Sequence, residues 1–558
     1  MFLKTTRSGK YEYVQVVESV WEDGKSVHKV RFNLGRKDAI TNSPEWQTLA
    51  RKLSVLAGLE DPKPRGKSLP NFSEGSVLNW GYVAYSKIWS SLGLDDEIAS
   101  LQAKTKAEFS LTDAVFLMAL HHLLSPGSKL NAFEKQERYA SLPQVKLQNL
   151  YRALDFLCEY KDTLEESLFA KNFNLLNAQI DVVFYDVTTF AFQSVVADSL
   201  RDFGFSKDNK INEVQVVLGM FIDSDGNPLG YDLFSGNTFD GNTLVSALGT
   251  LQKRFGIRRV IIVADRGINS KLNLKSIKDA GYGYIVASRL KSMPNEIKEL
   301  ALETDGFQTL SADQDSGEVM MAVKRLDYIN VIRDEQRREI DRLEELLLVT
   351  YSTRRAGKDA SDRQRLLDKA KRLLENPSAI KGQLRRGGRK YIKSNHSSEP
   401  QYSLDEDALL RDSRWDGYYA IQSSEKEMSA QQILDAYHTL WKIEESFRIM
   451  KSTLEVRPIH HWTEPRIRGH FVVCFLAFLM ERRLEQRLHS SQLSASPVEI
   501  RDALNALTVT HTDLDGVPLY LKSKVPSLAA KILRTLRIAQ PDTVTSEESF
   551  RSWLSARR

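Results

Sequence analysis

Two aspartates close strongly apolar stretches of the sequence: Asp186 in VVFYDVTTF and Asp265 in VIIVADRG. Strand ends are where sites form in open α/β sheets, so both carboxylates are placed for function. With Glu444, which lies in a helical pattern, they would form a site of hard oxygen ligands that suits Mg²⁺ or Mn²⁺ and not zinc. Two such ions can activate the attacking oxygen and stabilise the leaving oxygen in a phosphodiester displacement.

Each aspartate taken alone has a simpler interpretation, because an aspartate after a buried strand often only caps a loop. A phosphatase of the haloacid type would carry Asp-x-Asp at its first strand. The residue two positions after Asp186 is Thr188, which weakens that alternative.

Glu444 lies in a segment whose apolar residues recur at helical spacing: Ile433, Leu440, Ile443, Phe447, Met450 and Leu454. This spacing predicts one amphipathic helix, with Glu444 facing inward at the border of the apolar stripe and Glu445 in solvent. A glutamate at such a border can also be only a salt-bridged or snorkelling residue.

Cationic and hydroxyl side chains accompany Glu444 on the same predicted face. Tyr437 and Lys451 lie two helical turns before and after it, and Arg448 lies one turn after it. Beside an acid cluster, such side chains fit a polyanion held across a metal site.

A second basic cluster lies in KGQLRRGGRKYIK, which contains no acidic residue: Lys381, Arg385, Arg386, Arg389, Lys390 and Lys393. It is either a solvated loop or a phosphate-contacting one. The net charge of the chain, +5, does not identify a nucleic-acid binder by itself.

Residues 176–290 must position the two aspartates, and their pattern predicts the order β-β-β-α-β-α-β. Three antiparallel strands followed by alternating helices and parallel strands form a mixed α/β sheet of the ribonuclease-H-like type. We therefore predict an α/β protein in which this sheet is interrupted by an insertion, preceded by a β-hairpin and a helical region.

The 558 residues predict several domains. A β-hairpin region covers 1–75, and a helical, DNA-binding module covers 76–175, with one helix opening at Thr112. The catalytic domain covers 176–290 and 417–510. It is interrupted by an insertion, 291–416, with two charged helices over 333–349 and 361–376, which are solvent-exposed or DNA-contacting. The tail, 511–558, carries no usable signal.

Composition narrows the class of protein. The chain is 42% hydrophobic and 27% charged, and its longest apolar run has ten residues, which excludes a membrane span. Two cysteines, Cys158 and Cys474, offer no disulfide or zinc framework. Without an export signal, we expect a protein of the prokaryotic cytoplasm, associated with the nucleoid.

The strand aspartates, together with Tyr437, Glu444 and Lys451 at the spacing Y-x(6)-E-x(6)-K, resemble the DDE transposases of the insertion-sequence-four superfamily. That family has arginine where this chain has Leu440, and Lys442 or Arg448 would substitute for it. The segments GFSKDNKINEVQV, FSGNTFDGNT and VQVVESVWEDGKSVHKVRFNLGR are similar to the long branch in which leucine is usual.

The resemblance implies an enzyme that binds the terminal inverted repeats of its element, cleaves at the ends and joins the 3′ hydroxyls to target DNA. It implies Mg²⁺, or Mn²⁺ in its place, on Asp186, Asp265 and Glu444. Tyr437 and Lys451 would hold phosphates, and Arg266 is placed with the DNA-contacting residues. Trp415 would stack on a flipped base.

Partners follow from the same resemblance. Double-stranded DNA is expected, and a homodimer is expected because joining two ends requires two active sites; no nucleotide cofactor or membrane is expected. Two other functions stay open: a transposase-derived DNA-binding protein without catalysis, and a ribonuclease-H-like nuclease that cuts without joining.

Overall fold

The computed structural model of the chain describes residues 2–22, 25–59, 76–172, 182–204, 213–238, 240–255, 261–312, 319–334, 336–376, 380, 387–394, 401–514 and 517–556. Its strands are β1 (Phe2–Ser8), β2 (Tyr11–Glu22), β3 (Lys25–Arg36), β4 (Ser76–Asn79), β5 (Val182–Ala191), β6 (Gln215–Ile222), β7 (Pro228–Ser235), β8 (Ile261–Ala264), β9 (Gly283–Ala287), β10 (Gln308–Ala312), β11 (Val319–Arg333), β12 (Glu339–Ser352), β13 (Ile392–Ser394), β14 (Tyr402–Leu404), β15 (Tyr418–Ser423), β16 (Thr508–Leu514), β17 (Val517–Lys522) and β18 (Val544–Ser546).

Its helices are α1 (Lys37–Asn42), α2 (Pro44–Leu56), α3 (Val83–Ser91), α4 (Leu94–Gln102), α5 (Leu111–Leu124), α6 (Lys129–Lys135), α7 (Leu147–Asn172), α8 (Asp240–Phe255), α9 (Lys271–Asp279), α10 (Asn295–Leu302), α11 (Thr353–Leu374), α12 (Glu406–Ser413), α13 (Ala430–His438), α14 (Trp441–Arg448), α15 (Glu464–Ser490), α16 (Pro497–Asn505), α17 (Ser527–Thr535) and α18 (Glu547–Ser555). Within the described ranges, none of them has the length and apolar character that crossing a bilayer requires.

A nine-stranded sheet forms the centre of the molecule, in the order β10-β11-β12-β15-β9-β8-β5-β6-β7. The strands β5, β6 and β7 are antiparallel neighbours, whereas β8 and β9 run parallel to β5. This is the order and direction of a ribonuclease-H-like sheet, so the predicted fold is confirmed. The predicted order of elements from β5 to β9 is also confirmed.

The two faces of this sheet pack against different helices, because side chains alternate along each strand. On one face Phe184 and Val263 share a core with Ile443 and Phe447 of α14. On the other face Val183, Tyr185 and Ile262 pack with residues of α8 and α9. Alternate residues of β5 and β8 therefore pack against different helices.

The insertion differs from the prediction. The charged segment 333–349 is not a helix: it forms the end of β11 and most of β12, and these strands extend the sheet beyond β15. The spacing of its leucines is compatible with a helix or with a strand. The strand forms because this segment pairs with β15, with Leu347 opposite Gln422 and Val349 opposite Ala420. The second predicted charged helix is confirmed as part of α11.

The terminal regions add two small sheets. The predicted hairpin of β2 and β3 is confirmed, and β1 extends it to three strands. Near the other terminus β16, β17 and β18 form a four-stranded sheet with β4, which the sequence did not predict. The helix predicted to open at Thr112 begins at Leu111 instead, with the Ser110 hydroxyl accepting a hydrogen bond from the Asp113 amide.

Candidate active site

The strand register places Asp186 and Asp265 side by side. Phe184 of β5 pairs with Val263 of the parallel strand β8, so two residues farther along, Asp186 and Asp265 lie at the same level. Neighbouring strands are about 4.8 Å apart, and both residues share the parity of Phe184 and Val263. Both side chains therefore project from the face that α14 covers.

Backbone amides fix the orientation of both carboxylates. Asp186 Oδ1 accepts a hydrogen bond of 2.7 Å from the amide of Val187. Asp265 Oδ1 accepts one of 2.7 Å from the amide of Gly267, in the turn that follows β8. Both side chains are half-buried, so each is held by the protein and still reachable from solvent.

The predicted helix around Glu444 is interrupted. Its first part, α13, ends at His438. After a turn at Thr439 and Leu440, the chain continues as α14 and then as a π-helical turn, Ile449–Thr453. The helix α14 packs against β5, and α13 packs against β8 and β9. The segment therefore crosses the sheet above the ends of the two strands that carry the aspartates.

The predicted exposures of Glu444 and Glu445 are wrong. Glu444 is exposed, whereas Glu445 is half-buried between Arg448 and Arg482, with its oxygens 3.3 Å from a guanidinium nitrogen of each. Arg482 comes from α15, which covers the side of α14 that helical periodicity alone assigns to solvent. Glu444 is left on the open side of α14 and Glu445 has a structural partner.

Tyr437 lies near two of the three acids, Asp265 and Glu444. Its hydroxyl is 2.6 Å from that of Tyr419, and the two hydroxyls share a hydrogen bond. Burial raises the pKa of Tyr437, and Tyr419 and the carboxylates of Asp265 and Glu444 raise it further. The negative charges of one acid on the sheet and of the acid on α14 therefore both disfavour ionisation of Tyr437, which stays a neutral hydroxyl.

The other residues predicted around Glu444 have different surroundings. Lys451 Nζ lies 5.5 Å from the ring centre of Phe190, on the same strand as Asp186. Arg448 is exposed and pairs with Glu445. Lys442 donates a 2.6 Å hydrogen bond to the carbonyl of Ser224 in the β6–β7 turn, where it holds the turn against α14. Leu440 is buried in the core.

The three carboxylates do not form a closed ligand set. Among the described residues, the His, Cys, Asp and Glu groups whose ligand atoms all lie within 4.8 Å of one another do not include Asp186, Asp265 and Glu444 together. The donor set still fits Mg²⁺, which takes carboxylate oxygens and retains water ligands. Glu444 is exposed, so its side chain can rotate toward the two aspartates.

A cleft of about 540 Å³ opens beside Asp265, between the sheet and the insertion. Its cationic lining residues are Arg266, Arg289, Lys291, Arg355, Arg363 and Lys390, and its acidic ones are Asp359, Asp362, Asp412 and Asp416. Tyr419 also lines it, with the Arg355 guanidinium 4.6 Å from its ring centre. The cleft therefore reaches the Tyr437 site through Tyr419.

Part of the predicted basic loop belongs to this cleft. Lys390 lines it and pairs with Asp412 at 2.7 Å. Arg389 is turned inward and donates a 2.6 Å hydrogen bond to the carbonyl of Ile392. Arg385 and Arg386 lie outside the described residues, so their predicted DNA contacts stay predictions.

Trp415 also lines the cleft, half-buried against the apolar cluster of the insertion. Sequence reasoning missed Tyr419, Arg289 and Arg355. No spacing links them to the acids, because β15 and α11 reach the site only by pairing and packing. The dipeptide YY at Tyr418 and Tyr419, at the start of the returning strand, was the available signal.

Residues 177–480, more than half of the chain, match the family model described as the transposase DDE domain. The chain belongs to the DDE transposase family. Residues 3–60 also match the N-terminal domain of IS1634 family transposases, so this DDE transposase carries an insertion-sequence type of N-terminus. The predicted DDE transposase resemblance is confirmed at this level; the insertion-sequence-four superfamily stays a prediction.

Solved structures of other transposases are distantly similar to this DDE transposase. The piggyBac transposase synaptic complex with hairpin DNA is 10% identical over 88% of each chain, with a TM-score of 0.36. The Mos1 transposase paired-end complex with the left transposon end is 13% identical over 44% of this chain and 68% of that chain, with a TM-score of 0.15. The fold assignment depends on the strand order and not on these scores. No curated protein matches the chain.

Proposed function

We propose that this DDE transposase binds the terminal inverted repeats of its own insertion sequence, cleaves the DNA at the ends and joins the freed 3′ ends to target DNA. The observation that carries the proposal is the placement of Asp186 and Asp265 at one level of neighbouring strands, on the face covered by the Glu444 helix. Neither a DNA-binding role nor a structural one requires acids at that level.

Asp186, Asp265 and Glu444 would hold two Mg²⁺ ions, or Mn²⁺ in their place. When bound, such ions supply an activated attacking oxygen and charge stabilisation of the leaving oxygen. The chain contributes the orientation of the carboxylates, through the amides of Val187 and Gly267. Carboxylates fixed in this way lose little entropy when they engage the ions.

The DNA ends would be held by groups on both sides of the acids. Tyr437 and Lys451 would contact phosphates near the cleaved end, with Arg448 or Lys442 in place of the family's arginine. Arg266 and Lys390 line the cleft beside Asp265, where cations attract a phosphate backbone. Trp415, in the same cleft, would stack on an unpaired base.

Double-stranded DNA would be the partner, and two chains would act together, because joining two ends in one event requires two active sites. The test is a reaction of the full-length chain with a duplex carrying the element's terminal repeat, Mg²⁺ and a supercoiled target plasmid. We expect end cleavage followed by covalent end–plasmid product.

Each other result of this reaction would overturn the proposal. Cleavage without joined product identifies a nuclease that cuts only. Retarded but intact DNA identifies a DNA-binding protein without catalysis. A scrambled repeat of the same length and composition is the matched control, and cleavage of it at an equal rate would remove the claim of end recognition.

A further inference from the structure

Three metal-ligating side chains meet in the helical core, away from the acidic site. His122 lies on α5, and His470 and Cys474 lie one turn apart on α15, with their ligand atoms all within 4.8 Å of one another. Each is at most 4% exposed. His122 and His470 are 348 residues apart in the sequence, so no local motif indicates this group. The sequence therefore predicted no zinc framework.

Backbone carbonyls orient both imidazoles. His122 Nδ1 lies 2.9 Å from the carbonyl oxygen of Leu454, and His470 Nε2 lies 3.0 Å from that of Val456. A carbonyl only accepts, so these two nitrogens carry the protons. His122 Nε2 and His470 Nδ1 therefore carry the lone pairs, and a bonded second ring nitrogen is the arrangement in which metal-binding histidines are held.

The spacing is close to that of a tetrahedral zinc site. Cys474 Sγ is 3.8 Å from His122 Nε2 and 3.9 Å from His470 Nδ1, and it lies 3.6 Å from His470 Nε2. Zinc bonds of about 2.3 Å to sulfur and about 2.0 Å to nitrogen place such atoms about 3.5 Å apart. A contraction of a few tenths of an ångström, with a rotation of the His470 ring that turns Nδ1 toward the sulfur, would complete the geometry.

We propose that His122, His470 and Cys474 bind one Zn²⁺ ion, which clamps α5 to α15. Imidazole and thiolate ligands favour zinc over Mg²⁺, so this site and the acidic site would select different ions. His461 is buried beside His470, with a ring-centre distance of 5.3 Å, but it is not among the residues whose ligand atoms all lie within 4.8 Å of one another.

Lys129 lies beside the proposed zinc ligands and provides a test of the site. Its buried amine donates a 2.9 Å hydrogen bond to His122 Nε2, the lone pair that the metal requires. The amine and the metal therefore compete for one nitrogen. Removing the amine with Lys129→Met should tighten metal binding, whereas Cys474→Ser should weaken it, so two changes in one cluster have opposite expected signs.

The clamp would also bear on the acidic site. The carbonyls of Leu454 and Val456 follow directly after the π-helical turn that carries Lys451. By holding the histidines that bond these carbonyls, the metal would fix the far end of the Glu444 segment. The zinc proposal itself does not rest on catalysis.

The measurement is the zinc content of the full-length chain, purified without a metal-affinity step and dialysed briefly against a chelator. We expect about one zinc per chain in the parent and in Cys158→Ser, and less than about 0.2 in Cys474→Ser. Lys129→Met should retain at least the parent content. Cys158, the only other cysteine, is the matched control.

A parent content below about 0.1 zinc per chain would overturn the proposal. Equal zinc in the parent and in Cys474→Ser would also overturn it, because the metal would then be bound elsewhere. If Cys474→Ser does not fold, the parent grown with Co²⁺ gives the answer: a thiolate-to-cobalt charge-transfer band supports the site, and its absence contradicts it.

Discussion

Glu444 and Glu445 have opposite environments although they are adjacent. Glu445 is held between two arginines, and Glu444 remains on the open side of α14 near Tyr437. Residue types and spacing select Asp186, Asp265, Glu444 and Tyr437 as candidates, and their roles stay predictions. The same patterns do not predict the exposure of Glu444 and Glu445, because Arg482 belongs to α15, and helical periodicity does not show where α15 packs.

The paired hydroxyls of Tyr419 and Tyr437 lead to a prediction. Tyr437→Phe removes a hydroxyl that is influenced by both Asp265 and Glu444 and should lower end cleavage about 10-fold, the value of a hydrogen bond worth about 1.4 kcal/mol. Tyr419→Phe, which leaves the Tyr437 hydroxyl in place, should have a smaller effect. Single-turnover cleavage rates would check this order, and a larger loss in Tyr419→Phe would contradict it.

A buried acid predicts pH-dependent stability. Burial and Glu485 raise the pKa of Glu481 to about 8, against 4.5 for the ordinary group, while Tyr85 and the cations Arg482 and Arg501 oppose the shift. Between pH 4.5 and 8 the unfolded chain ionises this group and the folded chain keeps it protonated. Stability attributable to Glu481 therefore falls as pH rises, by up to about 1.4 kcal/mol per pH unit.

Glu481→Gln removes the titration and should make the protein more stable relative to the parent at pH 8 than at pH 5. Urea unfolding at the two pH values measures this difference. The same substitution at exposed Glu159 on α7 is the control and should leave the pH dependence unchanged. An equal effect of Glu481→Gln at both pH values would show that its titration does not contribute.

At the scale of elements, strands with uniform burial were predictable and the insertion was not. The strands β5, β6 and β8 have apolar runs that only a buried sheet accommodates. The segment 333–349 has charges and leucines that fit a helix equally well, and its partner β15 lies about 70 residues away. Non-local pairing, which propensity does not contain, decided its structure.

The cleft between the insertion and the sheet predicts how Arg266 affects DNA binding. Arg266→Ala should weaken binding of end DNA and reduce the slope of log affinity against log salt by about 1, as expected for one lost phosphate contact. Lys275→Ala is the control, because α9 packs on the opposite face of the sheet. Equal salt slopes for the parent and Arg266→Ala would exclude the contact.

At the scale of the whole molecule, the helices before and after the sheet form one core. The helix α15 packs against α5 and α7, and Phe471 and Phe478 share their core with residues of the sheet. The sequence predicted a helical module and a separate catalytic part, and the domain boundaries stay predictions. Packing between segments 300 residues apart has no local signature.

The proposed synaptic pair is a property of the whole molecule. We expect the mass of the protein–DNA complex, measured by light scattering after size exclusion, to correspond to two chains when terminal-repeat duplex is present. A duplex with a scrambled repeat is the control and should not produce this species. A complex with one chain per duplex at all concentrations would contradict the pairing of two active sites.

The most direct measurement is Mg²⁺-dependent cleavage of the terminal-repeat duplex by the parent, Glu444→Gln and Glu445→Gln. We expect Glu444→Gln to lose about 100-fold or more in rate, since about 2.7 kcal/mol of transition-state stabilisation would be lost with the ligand. Glu445→Gln should cleave at the parent rate with slightly lower thermal stability, because it loses only its arginine pairs. Equal cleavage by the parent and Glu444→Gln would contradict the proposed acidic site.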